Sequence, residues 1–277
     1  MLLGVAGVGG LAGLGWWWLR RREIEIRLSD RAEQAYFREV LSALESDTTS
    51  ADYWAEMRRP ATVPVPRTDS DGGLTRRFDP LFARRGRFLP IPYLRALAHG
   101  ESGLNPSDPK GLINVVAVAL DDYNRRQKTR IRPEEMRIPE TNVRVAADTL
   151  RTIIASYRRN HPDVPNLREN WSNPAFVELL TLGWNAGYSE ASGVGKVVQY
   201  LTARGQKHIT AADIHQHAQA AGATRWLSSE PIASEKLRWS QGVARRFYAE
   251  NERDRAEARR RHVASSAADA GAPAEEA

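Results

Sequence analysis

Apolar residues recur at three- and four-residue spacing through most of the chain between residues 88 and 250. The pattern is clearest over 92–100, 112–126, 142–158, 174–187, 196–203, 211–221 and 234–249. That spacing marks one face of an α-helix packed on a core. Alternating apolar and polar runs bounded by turn residues, the mark of half-buried strands, are scarce. The chain therefore reads as all-α, with a compact helical unit over 88–250, and no internal repeat is evident.

The flanks have a different pattern. Residues 2–19 carry no charge, end in Trp16, Trp17 and Trp18, and are followed by Arg20, Arg21 and Arg22. An apolar run of about 18 residues with interfacial tryptophans predicts a membrane anchor over 1–22. A cleavable signal would carry its basic residues before the run and not after it. Residues 23–59 read as a juxtamembrane segment. It includes an amphipathic helix from Ser29 to Leu44, with Ala35, Phe37, Val40 and Leu41 on one face. Pro60, Pro64, Pro66 and the Gly72-Gly73 pair predict a linker over 60–87. From 251 to 277 the chain is charged and then rich in Ala, Ser, Asp and Glu, which predicts a disordered tail.

Charge and composition narrow the partners. The 277 residues have a formal net charge of +6, with Arg far outnumbering Lys. A basic balance suits an anionic polymer or surface. No basic stripe is interleaved with aromatics, so nucleic acid is not expected as a partner. There is no cysteine, which excludes disulfides, thiolate metal sites and a cysteine nucleophile. The six histidines include no helical pair with a third ligand, so neither a metal nor another cofactor is expected. The segment from Gly193 to Lys196 lacks the full spacing of a phosphate loop.

The chemistry centres on Glu101. Leu94, Leu97 and Ala98 stand at i, i+3 and i+4, and Glu101 is the i+7 position of the same stripe. Its carboxyl group is therefore expected on the buried face at the C-terminal end of a helix. Apolar neighbours, the negative end of the helix dipole and the lack of a basic residue beside it in sequence all disfavour the carboxylate. A carboxyl group kept protonated near neutral pH is suited to general acid catalysis. Periodicity alone also allows an exposed glutamate at a frayed helix end, or one satisfied by a backbone contact. Three tight elements then bring glycine, amides and apolar partners to helix ends. They run from Glu101 to Pro106, from Lys110 to Asn114, and from Gly183 to Gly187. Convergent amides and aromatic faces around one acid are suited to a sugar.

Taken in order, these elements resemble the soluble lytic transglycosylase family, whose fold is like goose-type lysozyme. Glu101 to Pro106 is similar to the family's Glu-Ser-Gly-x-Asn-Pro, and Gly111 to Asn114 to its Gly-Leu-Met-Gln. Asn142, Val143 and the stretch 146–150 are similar to its Asn-Ile helix. Trp184, Asn185, Ala186 and Gly187 are similar to its Tyr-Asn-Ala-Gly, and Glu235, Arg238, Trp239 and Ser240, more weakly, to its last element. The resemblance covers residues 88–250 and implies a lysozyme-like helical domain. It also implies that Glu101 is the single catalytic residue, general acid and then base, in cleavage of the MurNAc-β-1,4-GlcNAc bond with formation of 1,6-anhydro-MurNAc. Ser102, Asn114, Trp184, Asn185 and Trp239 would bind or position the sugar. The chain departs from the family at Ile113, Asn114, Trp184 and Trp239. A tryptophan keeps a stacking face but has no phenolic hydroxyl, so a tyrosine's hydrogen-bond support of the acid is expected to be missing.

The expected setting is the inner membrane, single-pass, with the catalytic domain facing peptidoglycan strands in the periplasm and an envelope assembly or secretion complex as a candidate partner. Arg20 to Arg22 on the C-terminal flank favour the opposite orientation, so the two expectations conflict. Two other functions stay open on sequence alone: a muramidase that uses water on the same fold, and an inactive wall-binding or scaffold relative.

Overall fold

The computed structural model describes residues 51–62, 67–69 and 72–270. The anchor expected over 1–22, the helix expected over 29–44 and residues 271–277 lie outside that description. Among the described residues there are ten α-helices, two 3-10 turns and no strand, only an isolated bridge between Thr68 and Leu74. The helices are α1 (Ala51–Met57), α2 (Asp79–Arg85), α3 (Ile91–Ser102), α4 (Ala117–Gln127), α5 (Pro139–Asn160), α6 (Pro174–Ala186), α7 (Val194–Thr202), α8 (Ala211–His217), α9 (Arg225–Ser228) and α10 (Ile232–Ala270). The fold is all-α. Among the described residues, no helix is long and apolar enough to cross a membrane.

Local chemistry sets the helix ends. Prolines at the first turn open α2, α3, α5 and α6, where a missing N–H costs nothing. Asn173 caps α6 by accepting the Ala175 N–H at 3.1 Å. Thr210 and Asp213 form a reciprocal capping box on α8.

The core is one cluster. Leu94, Leu97 and Ala98 of α3, Val143, Ala146, Leu150 and Tyr157 of α5, and Phe176, Leu179 and Leu180 of α6 are fully buried in it. The long helix α10 packs most extensively on α3 and α6, with Val243, Ala244 and Phe247 buried. Tyr93, Trp171, Phe176 and Phe247 stack edge-on or tilted in the middle, with ring centroids 5.0 to 6.0 Å apart.

The folded unit is larger than residues 88–250 at both ends. Trp54 and Met57 of α1, together with Phe78, Leu81 and Phe82, belong to the same core. The stretch 72–87 is thus packed structure and not a linker. The prolines and glycines dominated the sequence pattern there, yet Phe78 and Leu81 are each 0% exposed. At the other end, α10 runs to Ala270, through the first twenty residues of the expected disordered tail.

The extension is held by ions, which apolar periodicity does not register. Arg95 of α3 is completely buried. Its guanidinium reaches Asp79 at 2.5 Å, Glu250 at 3.2 Å and Asp254 at 3.3 Å. Arg76 bonds Asp254 at 3.1 Å and also pairs with Glu257. A buried charge is tolerable only when paired and hydrogen-bonded in this way.

A further difference lies between α3 and α4. The helix expected from residue 112 begins at Ala117. Leu112 and Ile113 are fully buried, but on turns. They mimic helical spacing because the core needs apolar side chains there. Their backbone is held by Asn142 of α5, which is also fully buried. Asn142 Oδ1 accepts the Ile113 N–H at 2.8 Å, and its Nδ2 donates to the carbonyls of Lys110 at 3.1 Å and Ile113 at 3.0 Å.

Candidate active site

Three helices meet around Glu101: α3 carries it, α6 faces it, and α10 crosses beside both. Helix α3 stops just past Glu101 because Gly103 is left-handed, with φ 67°, and donates its N–H to the His99 carbonyl at 2.9 Å. A side chain at Gly103 would be strained in that conformation. The hydroxyl of Ser102 lies 2.7 Å from the Leu112 carbonyl and 3.2 Å from that of Ala98, and it accepts the Asn105 N–H at 3.1 Å. Ser102 thus spends its hydrogen bonds tying the turn after the acid to the turn that carries Asn114.

Asn114 closes that connection. Its Nδ2 donates to the main-chain carbonyl of Glu101 at 3.0 Å. Its Oδ1 is buried with no hydrogen-bond partner among the described residues. An open acceptor beside the acid is unusual, because buried polar atoms are nearly always satisfied.

Opposite stands Trp184, near the end of α6. Its indole N–H donates to Glu101 Oε1 at 2.7 Å. The expected loss of support at this position is therefore corrected: the indole nitrogen supplies a hydrogen bond to the acid without a phenol. The adjacent Asn185 accepts a hydrogen bond from Lys236 Nζ of α10 at 2.6 Å. Two residues before Asn185, Gly183 lies so close to the Tyr157 hydroxyl that a Cβ would collide with it. That close approach seats α6 on α5 and sets where Trp184 stands.

Trp239 is placed differently. It lies against Gly100, with its indole N–H 3.3 Å from the Gly100 carbonyl, and a Cβ on Gly100 would come within 3.2 Å of its ring. It fixes α10 against the last turn of α3. Hydrogen bonds thus link Glu101 to Asn114 and Trp184 and tie Ser102 to the Asn114 turn, Lys236 connects Asn185 to the same acid, and Trp239 bonds the main chain of Gly100.

Burial pushes the Glu101 carboxyl above its ordinary range. The Trp184 hydrogen bond opposes that shift most strongly, followed by the charge of Lys236, the Asn114 amide and the charge of Lys110. Both of these charges are cations. Sequence reasoning saw no basic neighbour because Lys236 arrives from a helix more than a hundred residues away. It also missed Asn142 as the clamp on the Asn114 turn. A polar residue inside an otherwise apolar helical stripe, as Asn142 is in α5, was the available signal.

Asp121 is exposed on α4, and Asp122 pairs with Arg125 and Arg126 on its surface at 2.5 and 2.7 Å. Comparison with protein-family models, with curated proteins and with solved structures finds no match to this chain.

Proposed function

We propose that this chain is a peptidoglycan lytic transglycosylase with a lysozyme-like catalytic domain, in which Glu101 performs both proton transfers. The observation that supports it most is the setting of Glu101. It is a half-buried carboxyl pushed toward its protonated form, held by the Trp184 indole at 2.7 Å, with cations as the strongest charges acting on it. A two-carboxylate glycosidase needs a second acid beside the first. A transglycosylase does not.

The protonated Glu101 gives its proton to the glycosidic oxygen between the MurNAc and GlcNAc units. The C1–O bond breaks, and the GlcNAc 4-hydroxyl leaves. The Glu101 carboxylate, now stabilised by the Trp184 N–H, takes the proton from the MurNAc C6 hydroxyl. The C6 oxygen bonds to C1, which gives the 1,6-anhydro ring, and Glu101 is protonated again. No water enters the balance. Asn114 Oδ1, the unpartnered acceptor, suits a sugar hydroxyl or acetamido N–H. Residues 1–22 would anchor the domain at the inner membrane on the wall side.

Mass spectrometry of purified peptidoglycan digested with the full chain tests this. Anhydro-muramoyl ends are expected. Reducing muramoyl ends would mean that water is the acceptor, and an undigested wall would remove the enzymatic reading.

A further inference from the structure

Lys236 is the part of the site that the proposed reaction does not use. Its ammonium is partly buried, bonded to Asn185 Oδ1 at 2.6 Å and 5.6 Å from the centre of the Trp226 ring. Among the described residues, no carboxylate forms an ion pair with it. An ammonium has three donors, and partly buried charges are ordinarily matched by an opposite one. Two other cations stand nearby. Lys110 acts on the Glu101 carboxyl, and the Arg67 guanidinium covers Gly103, within 3.0 Å of where a Cβ would be.

We propose that Lys236 binds a carboxylate on the substrate, so that the enzyme selects glycan carrying a free anionic group next to the scissile bond. This rests on the lytic reading of Glu101. The placement fits: Lys236 is bonded to the residue adjacent to Trp184, which itself bonds the acid. The electrostatics fit as well. In the free protein Lys236 works against protonation of Glu101. A substrate carboxylate on the ammonium would cancel that field and leave burial unopposed, so the proton would be held more firmly when substrate is in place. In a wall glycan the carboxylate is either that of the muramoyl lactyl ether, free once the peptide is removed, or that of the stem peptide.

The test uses three substrates with the full chain: glycan strands stripped of peptide by an amidase, the same strands with the lactyl carboxylate converted to its methylamide, and intact peptide-bearing strands. Specificity constants are compared for wild type, Lys236→Met and Lys236→Arg. A charge-assisted contact of this kind predicts about tenfold discrimination between a carboxylate and its neutral amide. Wild type is expected to prefer stripped strands over their methylamides by that factor. Lys236→Met is expected to bring the ratio near one, and Lys236→Arg to keep most of it. If the preference instead lies with intact strands and Lys236→Met abolishes it, the carboxylate is the peptide's. A wild-type ratio near one for all three substrates overturns the proposal, as does a ratio that Lys236→Met leaves unchanged. Cleavage of none of the strands would overturn the lytic reading itself. Calorimetric binding of stripped strands, their methylamides and intact strands to wild type and Lys236→Met then decides the anion site separately, with equal affinities for all three overturning it.

Discussion

The indole N–H of Trp184 donates to Oε1 of Glu101 at 2.7 Å, joining the end of α6 to the end of α3 across the candidate site. The bond favours the carboxylate and so opposes the effect of burial on the same group. An acid that must give a proton and then accept one needs both influences.

Trp184→Phe keeps an aromatic face and removes the donor. Without that donor the Glu101 carboxyl moves further above its ordinary range, so the alkaline limb of the kcat/KM profile moves to higher pH. The rate at its optimum falls by about tenfold or more, as expected for one hydrogen bond to a developing charge. A pH–rate profile on soluble strands measures both. An unmoved alkaline limb would mean that the indole does not bond the working acid.

Asn142→Leu leaves the Ile113 N–H and the Lys110 and Ile113 carbonyls without their partner. A loss of about 1–3 kcal/mol in unfolding free energy is expected from denaturant titration. The Asn114 turn would also lose its clamp, so kcat should fall even where the protein remains fully folded. Full activity in the folded variant would show that the clamp does not position the site.

Gly183→Ala places a methyl group against the Tyr157 hydroxyl. It should cost about 1–3 kcal/mol through overpacking. Adding Tyr157→Phe removes the obstructing oxygen and should recover part of that loss, although the hydroxyl's bond to the Leu179 carbonyl goes with it. Thermal melts of the single and double variants give the coupling. Strict additivity would contradict the close approach.

Arg95→Met leaves the buried carboxylates of Asp79, Glu250 and Asp254 without their shared cation. The expected cost is about 3–5 kcal/mol. Deleting residues 252–277 should also lower the melting temperature, because it removes Asp254 and Glu257 from Arg95 and Arg76. A melting temperature unchanged by that deletion would show that α10 beyond Asn251 adds nothing to the fold.

How much of this was legible in the sequence follows from what each signal measures. Apolar periodicity located α3, α5, α6, α7 and the start of α10, because those helices bury an apolar face. It put Glu101 on the stripe of Leu94 and Leu97, and burial of the carboxyl follows from that. It misread the start of α4, since Leu112 and Ile113 are core residues on turns held by one asparagine. It ended α10 too early, because Asp254 and Glu257 are fixed by charge and not by apolar burial. It called 60–87 a linker from its prolines and glycines and so discounted Phe78 and Leu81. Lys236 was invisible for a different reason. Nothing in the spacing of a lysine says which side chain a hundred residues earlier it will face.

The most direct test of the central claim is the release of anhydro-muramoyl products from purified peptidoglycan by wild type and by Glu101→Gln, a substitution that keeps the size and the ability to hydrogen-bond Trp184 but cannot donate and retake a proton. The account predicts anhydro products from wild type and a rate at least about a thousandfold lower from the folded variant. Equal release by the two proteins would show that Glu101 is not the catalytic acid.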